Sequence, residues 1–245
     1  MPLDLRGCYA KIERAKKHIS EFDRERVAFL DTNPYVIVTN FNPEKNATQS
    51  VMGPLPEMPI HLSLTVGDAV QNLRSALDYL AAELARSVGN EPKLVYFPIS
   101  ESAEKYISES KGKTKGVPPE AKELMDFMQP YLGGDGNDLW YLHTLNNADK
   151  HRLLMTISAN IAKEVVFTLS PEGNTFSTMV DSPGLKEGDV LGSISGNSEG
   201  EQRIKFAFDI AFGQPNSIAG EPVLQTLEYL AHMVETIVET FKARF

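Results

Sequence analysis

Apolar positions recur at helical spacing through residues 4–31. Leu5, Tyr9, Ile12, Ala15, Ile19, Phe22, Val27 and Leu30 are separated by charged residues, the pattern of an amphipathic helix. "DTNP" ends it, because proline disfavours helical geometry in the residue before it. "YVIVTNF" is rich in β-branched residues and predicts a strand; "NPEKNA" predicts a turn and "TQSVM" the returning arm of a hairpin. Pro54, Pro56 and Pro59 make the following connection stiff and extended.

A second long helix is expected to start near Thr65 as N-cap, with Asp68 in its first turn, and to end at "VGNEP", where Gly89 suits a left-handed cap. Residues 100–117 are polar, contain "KGKTKG" and read as a loop. A third helix begins at "PPEAKELMDFM", with Pro119 near its first turn, and stops around "QPYLGGDGN". Asn137 or Asp138 caps a fourth, expected to run through "LWYLHTLNNADKHRLLMTISANI".

Beyond it the period changes to two. "EVVFTLS", "TFSTMV", "DVLGSI" and "RIKFAFDIAF" alternate apolar and polar residues between "PEGN", "SPGLKEGD" and "GNSEGE" turns. The last 25 or so residues return to helical spacing, with Val223, Leu227, Leu230, Val234, Ile237 and Phe241 on one face. The expected fold is α+β. It is a helical bundle of four to five helices with a small antiparallel sheet, made of an N-terminal hairpin and a β-meander before the last helix. The pattern reads as a single domain over 1–245, with a β-rich segment at about 163–213 ahead of the C-terminal helix. A separate β domain there is the alternative.

Composition narrows the function classes. Of the 245 residues 42% are apolar, enough for a sizeable core. Lys and Arg number 24 against 33 acidic residues, a net charge of −9, which argues against an extended nucleic-acid surface but leaves room for a local basic site. Cys8 is the one cysteine, so no intrachain disulfide is expected; that suits a cytoplasmic protein. No apolar run has the length of a membrane span, and no membrane partner is expected.

Two polar stretches interrupt the apolar pattern. In "QNLRSALDYLAAEL", Val66, Val70, Leu73, Leu77, Leu80, Leu84 and Val88 form a stripe; Arg74 sits at its edge and Asp78 about 40° further round. Ala81, Ala82 and Ala85 continue that strip and invite a close neighbour, so both charges are expected to face protein. A buried charge needs a partner. Either an intrahelical Arg74–Asp78 pair or a bridge to another helix supplies one; the functional alternative is an anion-binding or acid–base site. In "LNNADKHRLL", His143, Asn147, Lys150 and His151 fall within roughly 100° of one another on the fourth helix. Asp149 points inward with Leu142 and Leu145, and Arg74 is its expected donor.

Familiar catalytic signatures are missing. "KGKTKG" lacks the first Walker glycine, which would fall at Ile107; there is no G-x-S-x-G, H-E-x-x-H or paired CxxC. His143 and His151 are too far apart on a helix to share a metal, and Glu228, His232 and Glu235 form only half of a di-iron pattern and read as a solvated face. No metal and no cofactor is expected.

"NLRSALDYL", "FPI" (97–99), "QPYL" (129–132), "LNNADKHRLL" and "VLQTLEYLAHMVETIVETF" together resemble a set of bacterial proteins with an N-L-R-S-A-L-D helix followed by an N-x-D-K-H-R helix, a group without an established activity. The resemblance spans about 5–245. More distantly the chain resembles the HEPN superfamily, helical proteins that include metal-independent RNases acting as homodimers. There an arginine binds phosphate and a histidine further along the same helix assists attack by the 2′-hydroxyl. Arg74 matches the arginine; the histidine position is Tyr79, whose phenol is a poor proton shuttle at neutral pH. His151 is the substitute available on the neighbouring helix.

Two readings follow. One is a non-catalytic HEPN-like interaction or regulatory protein with a charged inter-helix cluster around Arg74 and Asp149. The other is a metal-independent RNase or nucleotide-binding enzyme, with Arg74 and His151 catalytic and Asp78, Tyr79, His143, Asn147, Asp149, Lys150 and Arg152 binding. The resemblance implies a homodimer, and a nucleotide or RNA as ligand at a local site.

Overall fold

The structure, a computed structural model, describes residues 3–151, 157–166, 176–178, 185–195, 205–213, 215 and 217–245, with side chains at all of these except 150–151, 157–166, 176–178, 195 and 205–207. Its elements are α1 (Arg6–Asp31), β1 (Ile37–Asn42), β2 (Ala47–Met52), α2 (Ile60–Ser87), α3 (Ala103–Lys113), α4 (Pro119–Phe127), α5 (Asn137–His151), β3 (Ile157–Val166), β4 (Phe176–Thr178), β5 (Val190–Ser195), β6 (Lys205–Phe212) and α6 (Val223–Arg244). The class is α+β, with one more helix among the described residues than the sequence pattern suggests. The chain forms two compact units. One is helical (Met1–Asp23, Ser63–Met155, Leu224–Phe245); the other is β-rich (Arg24–Leu62, Thr156–Val223).

The helical unit is built on the apolar stripe of α2. Val66, Val70, Leu73, Leu77, Leu80 and Leu84 are fully buried, while Val88, beyond the helix end, is exposed. Cys8, Ile12, Ala15, Ile19 and Phe22 of α1 are buried too, as are Leu227, Leu230, Val234, Ile237 and Phe241 of α6. Each of the Val, Leu, Ile and Phe side chains among them stabilises the unit by about 1.5–3 kcal/mol relative to exposure. Polar bonds fix the helices against one another: Lys16 to Glu235 at 2.8 Å, Lys11 to Asn72 at 3.2 Å and Tyr229 to Asp138 at 2.5 Å. No helix among the described residues is long and apolar enough to cross a membrane.

Three boundaries differ from the sequence pattern. α2 starts at Ile60 rather than near Thr65, which is buried inside the helix. Pro59 opens the first turn, its carbonyl accepting from Leu62 N–H. Residues 103–113 form α3, where the polar composition predicts a loop. Ser102 caps it by accepting from Lys105 N–H, and only Tyr106 and Ser110 are buried, so a polar composition hid a helix with one narrow inner face. α5 spans Asn137–His151, and of the continuation expected to residue 161, residues 157–161 belong instead to β3, while 152–156 lie outside the described residues. Pairing of Ile157, Ala159 and Ile161 with Phe212, Ile210 and Phe208 prevails there over local helical spacing.

In the β-rich unit the hairpin joins the later strands. The order β1-β2-β5-β4 makes one antiparallel sheet, and β3 pairs with β6 in a second. Met52, Leu185 and Leu191 form a buried cluster in this unit, against which Tyr35, Ile37 and Phe208 pack. Arg26 and Asp209, each 17% exposed, pair at 2.8 Å. Burial, with the Asp209 carboxylate nearby, pushes the Tyr35 phenol up to about 12, so this tyrosine stays neutral in the core.

The cap on α3 is directly testable. Ser102→Ala is expected to lower stability by about 1 kcal/mol, read from chemical denaturation, while Ser102→Asp restores it.

Candidate functional site

Residues 95–100, "VYFPIS", run extended through the helical unit. Leu94 and Tyr96 are exposed and Val95 and Phe97 buried, the alternation of a strand, and from Phe97 to Ser100 every residue is buried. Yet the segment forms only an isolated bridge, Ser100 with Tyr131. Its backbone polar groups still need partners. Tyr96 N–H donates to Lys113 O at 2.9 Å, Ser100 N–H to Pro130 O at 3.1 Å, and Lys113 Nζ reaches Ile99 O at 3.0 Å.

At Phe97 the partners are the two charges of α2. Arg74 Nη2 donates to Phe97 O at 3.0 Å, and Phe97 N–H donates to Asp78 Oδ1 at 3.0 Å. Arg74 Nη1 and Asp78 Oδ1 are 2.6 Å apart, closing the triangle. Arg74 is 7% exposed. The ion pair thus does what a neighbouring strand would do, serving both main-chain groups of one residue with charge-assisted bonds. It holds the fully buried Phe97 ring in the core, edge-on to Phe241 of α6 at 6.4 Å.

The expected Arg74–Asp149 bridge does not form. Arg74 is engaged by Asp78 and Phe97, and the Asp149 carboxylate lies against Gly67 instead. Gly67 and Arg74 share a face of α2 but stand two turns apart, about 10 Å along the axis. A Cβ at position 67 would meet Asp149 Oδ1 at 2.3 Å, so the close approach of α5 requires glycine here. Tyr79 is also away from Arg74, about 140° round the helix. It lies over α1, where a Cβ on Gly7 would come within 2.9 Å of its ring and Lys11 Nζ sits 5.9 Å from the ring centroid.

On α5, His143 Nε2 and Asn147 Nδ2 are 2.9 Å apart, and the Trp140 ring lies 5.8 Å from the imidazole. Every residue from Asn137 to Asp149 is buried or half-buried, with Leu139, Leu142, Leu145 and Asn146 the buried ones. The side chains of Lys150 and His151, and all of Arg152, lie outside the described residues. The structure therefore brings Arg74 together with Asp78, and His143 with Asn147; it places Tyr79 and Asp149 elsewhere.

Three participants escaped the sequence reading. Phe97 takes part through its main chain, which carries no residue signature. Gly67 did carry one, a lone glycine inside a helical pattern. Asn146 is 2% exposed, and its Oδ1 has no hydrogen-bond partner among the described residues. Among the described residues no group of His, Cys, Asp and Glu is placed to hold a metal ion. Burial pushes the Cys8 thiol up to about 12, which holds it in the thiol form at neutral pH.

The fold and site define an α+β protein in whose helical unit a buried arginine and a half-buried aspartate clamp the segment 95–100. Comparison with known proteins adds no relative: no family model, no curated protein and no solved structure matches the chain.

Arg74→Ala is expected to cost about 3 kcal/mol, because it takes the guanidinium away from both the Phe97 carbonyl and the Asp78 carboxylate. Asp78→Asn keeps an oxygen for Phe97 N–H and is expected to cost less, about 1–2 kcal/mol. Denaturant titration of both checks that order. In the same assay Gly67→Ala is expected to cost about 1–2 kcal/mol, a cost that largely disappears in an Asp149→Ala background because the clash is gone.

Proposed function

We propose that this chain is a non-catalytic, HEPN-like interaction or regulatory protein. The observation that carries the reading is the commitment of Arg74: at 7% exposure, bound to Asp78 and to Phe97 O, it is a fold-locking residue and offers no surface for a phosphate. Tyr79 supports the same reading, since its ring packs on Gly7 of α1 instead of joining Arg74. A phosphate-binding arginine and a proton-transferring partner would have to converge on one reacting bond, within about 3 Å of it.

One observation favours the nucleotide-binding part of the second reading, though on α5 and not at Arg74. Asn146, in the middle of α5, is buried with an acceptor oxygen that lacks a donor among the described residues, and His143, Asn147 and Trp140 share that helix. An unsatisfied amide oxygen can accept from a planar, hydrogen-bonding group such as a nucleobase, provided that α5 moves to admit it.

Thermal-shift measurement of the full chain with a panel of nucleotides and short RNAs separates the two. The proposal predicts no ligand-induced rise for wild type, and an Arg74→Ala protein whose Tm is lower by roughly 8 °C under every condition. A rise with a nucleotide in wild type that Asn146→Ala abolishes would establish the second reading. RNA cleavage lost in Arg74→Ala at unchanged stability would restore the enzyme.

A further inference from the structure

We propose that β1 is a self-pairing edge, and that two copies of this chain associate by joining their β1 strands antiparallel into one continuous sheet. The proposal goes beyond the reading of the helical unit and rests only on the β-rich one.

Among the described residues β1 has a strand neighbour on one side, β2. The direction of its main-chain groups follows from the register. Ile37–Asn42 pairs with Met52–Ala47, and Val36 O accepts from Gly53 N–H at 2.8 Å, one step before that ladder. Bonded and non-bonded pairs alternate in an antiparallel ladder, so Val36, Val38, Asn40 and Asn42 bond toward β2. Met52, opposite Ile37, agrees: it spends both main-chain groups on the other side, donating to Asp189 O and accepting from Gly188 N–H, each at 2.8 Å. Ile37, Thr39 and Phe41 therefore direct N–H and C=O outward, a row of donors and acceptors with no strand opposite among the described residues.

That edge lacks the usual protection. It is regular, six residues long, and has neither a bulge nor a proline nor a charge to discourage pairing. The four successive residues Val38, Thr39, Asn40 and Phe41 are exposed, with Val38 and Phe41 each at 40%. Residues 32–43 contain no Lys, Arg, Asp, Glu or His. On a chain of net charge −9, whose copies repel on average, a neutral edge is where two copies meet without like charges.

The sequence of β1 complements itself in one register. A two-fold axis through Thr39 sets Thr39 opposite the second copy's Thr39, and Ile37 opposite the second copy's Phe41, with the reciprocal pair completing it. All three are pairs of outward-facing residues, so each exchanges both of its hydrogen bonds. A register centred on Asn40 would set Ile37 against Pro43, which has no N–H to give. The side chains agree with the backbone, since Thr–Thr and β-branched–aromatic pairs are favourable cross-strand neighbours. Ile37 already packs on Met52, Leu185 and Leu191. Phe41, on the same face of the strand, lies beyond that cluster in a single copy; in the pair it extends the second copy's cluster instead.

Sedimentation velocity over a concentration series, with hydrogen exchange on the same samples, tests this. Wild type is expected to dimerise, with the Ile37, Thr39 and Phe41 amides gaining protection as the dimer fills. Thr39→Pro deletes an outward N–H and none toward β2, and Phe41→Lys puts two like-charged side chains at the seam. Each is expected to weaken the dimer by at least about tenfold while far-ultraviolet circular dichroism stays that of the folded chain. If the proline variant does not fold, the lysine variant carries the test. A monomer throughout the series overturns the proposal, as does a dimer that withstands Phe41→Lys and leaves those amides unprotected.

Discussion

The triangle of Arg74, Asp78 and the main chain of Phe97 is the constraint on which the helical unit depends. An extended segment that passes through a helical core meets no strand to satisfy its peptide groups. Leaving one N–H and one C=O unpaired there would cost about 1–3 kcal/mol each. Helix α2 solves this with an arginine and an aspartate one turn apart, which neutralise each other and together serve the one residue. Two leucines would pack in their place but could not bond a peptide. The Phe97 ring then enters the core against Phe241 because its backbone is held.

This accounts for the charges without invoking chemistry on a substrate. A phosphate-binding arginine keeps donors available; here the guanidinium is sealed at 7% exposure. The same economy governs Gly67, where the Asp149 carboxylate comes against α2 because no side chain intervenes. Both features sit where the "NLRSALD" and "NADKHR" stretches lie, and both bring elements of the helical unit together. The β-rich unit follows a different logic: Met52, Leu185 and Leu191 form one buried cluster in it, and among the described residues one of its sheets ends in an edge whose chemistry suits a second copy.

Strong periodicity made much of this legible in advance. The buried faces of α2 and α6 read directly from sequence, as did the hairpin, because long amphipathic repeats and β-branched runs around a turn are local signals. Helix α3 was hidden, since two buried positions in eleven residues leave little apolar pattern. β3 was hidden for the opposite reason: "ISANI" fits a helical spacing, and only pairing with distant β6 decides it. At the site, the Arg74–Asp78 spacing was legible as an intrahelical pair, but its shared target was a peptide group, which no residue type announces. The assignment of Asp149 to Arg74 failed on distance along the axis: angular position on a helix says which face a residue occupies, not which turn its partner approaches.

Hydrogen exchange at the Phe97 amide tests the central claim most directly. If the ion pair serves this segment as a strand would, that amide exchanges as slowly as those in the middle of α2, opening only when the helical unit unfolds. Exchange at the rate of an exposed loop amide, with α2 still protected, would contradict the account and return Arg74 and Asp78 to the search for a ligand.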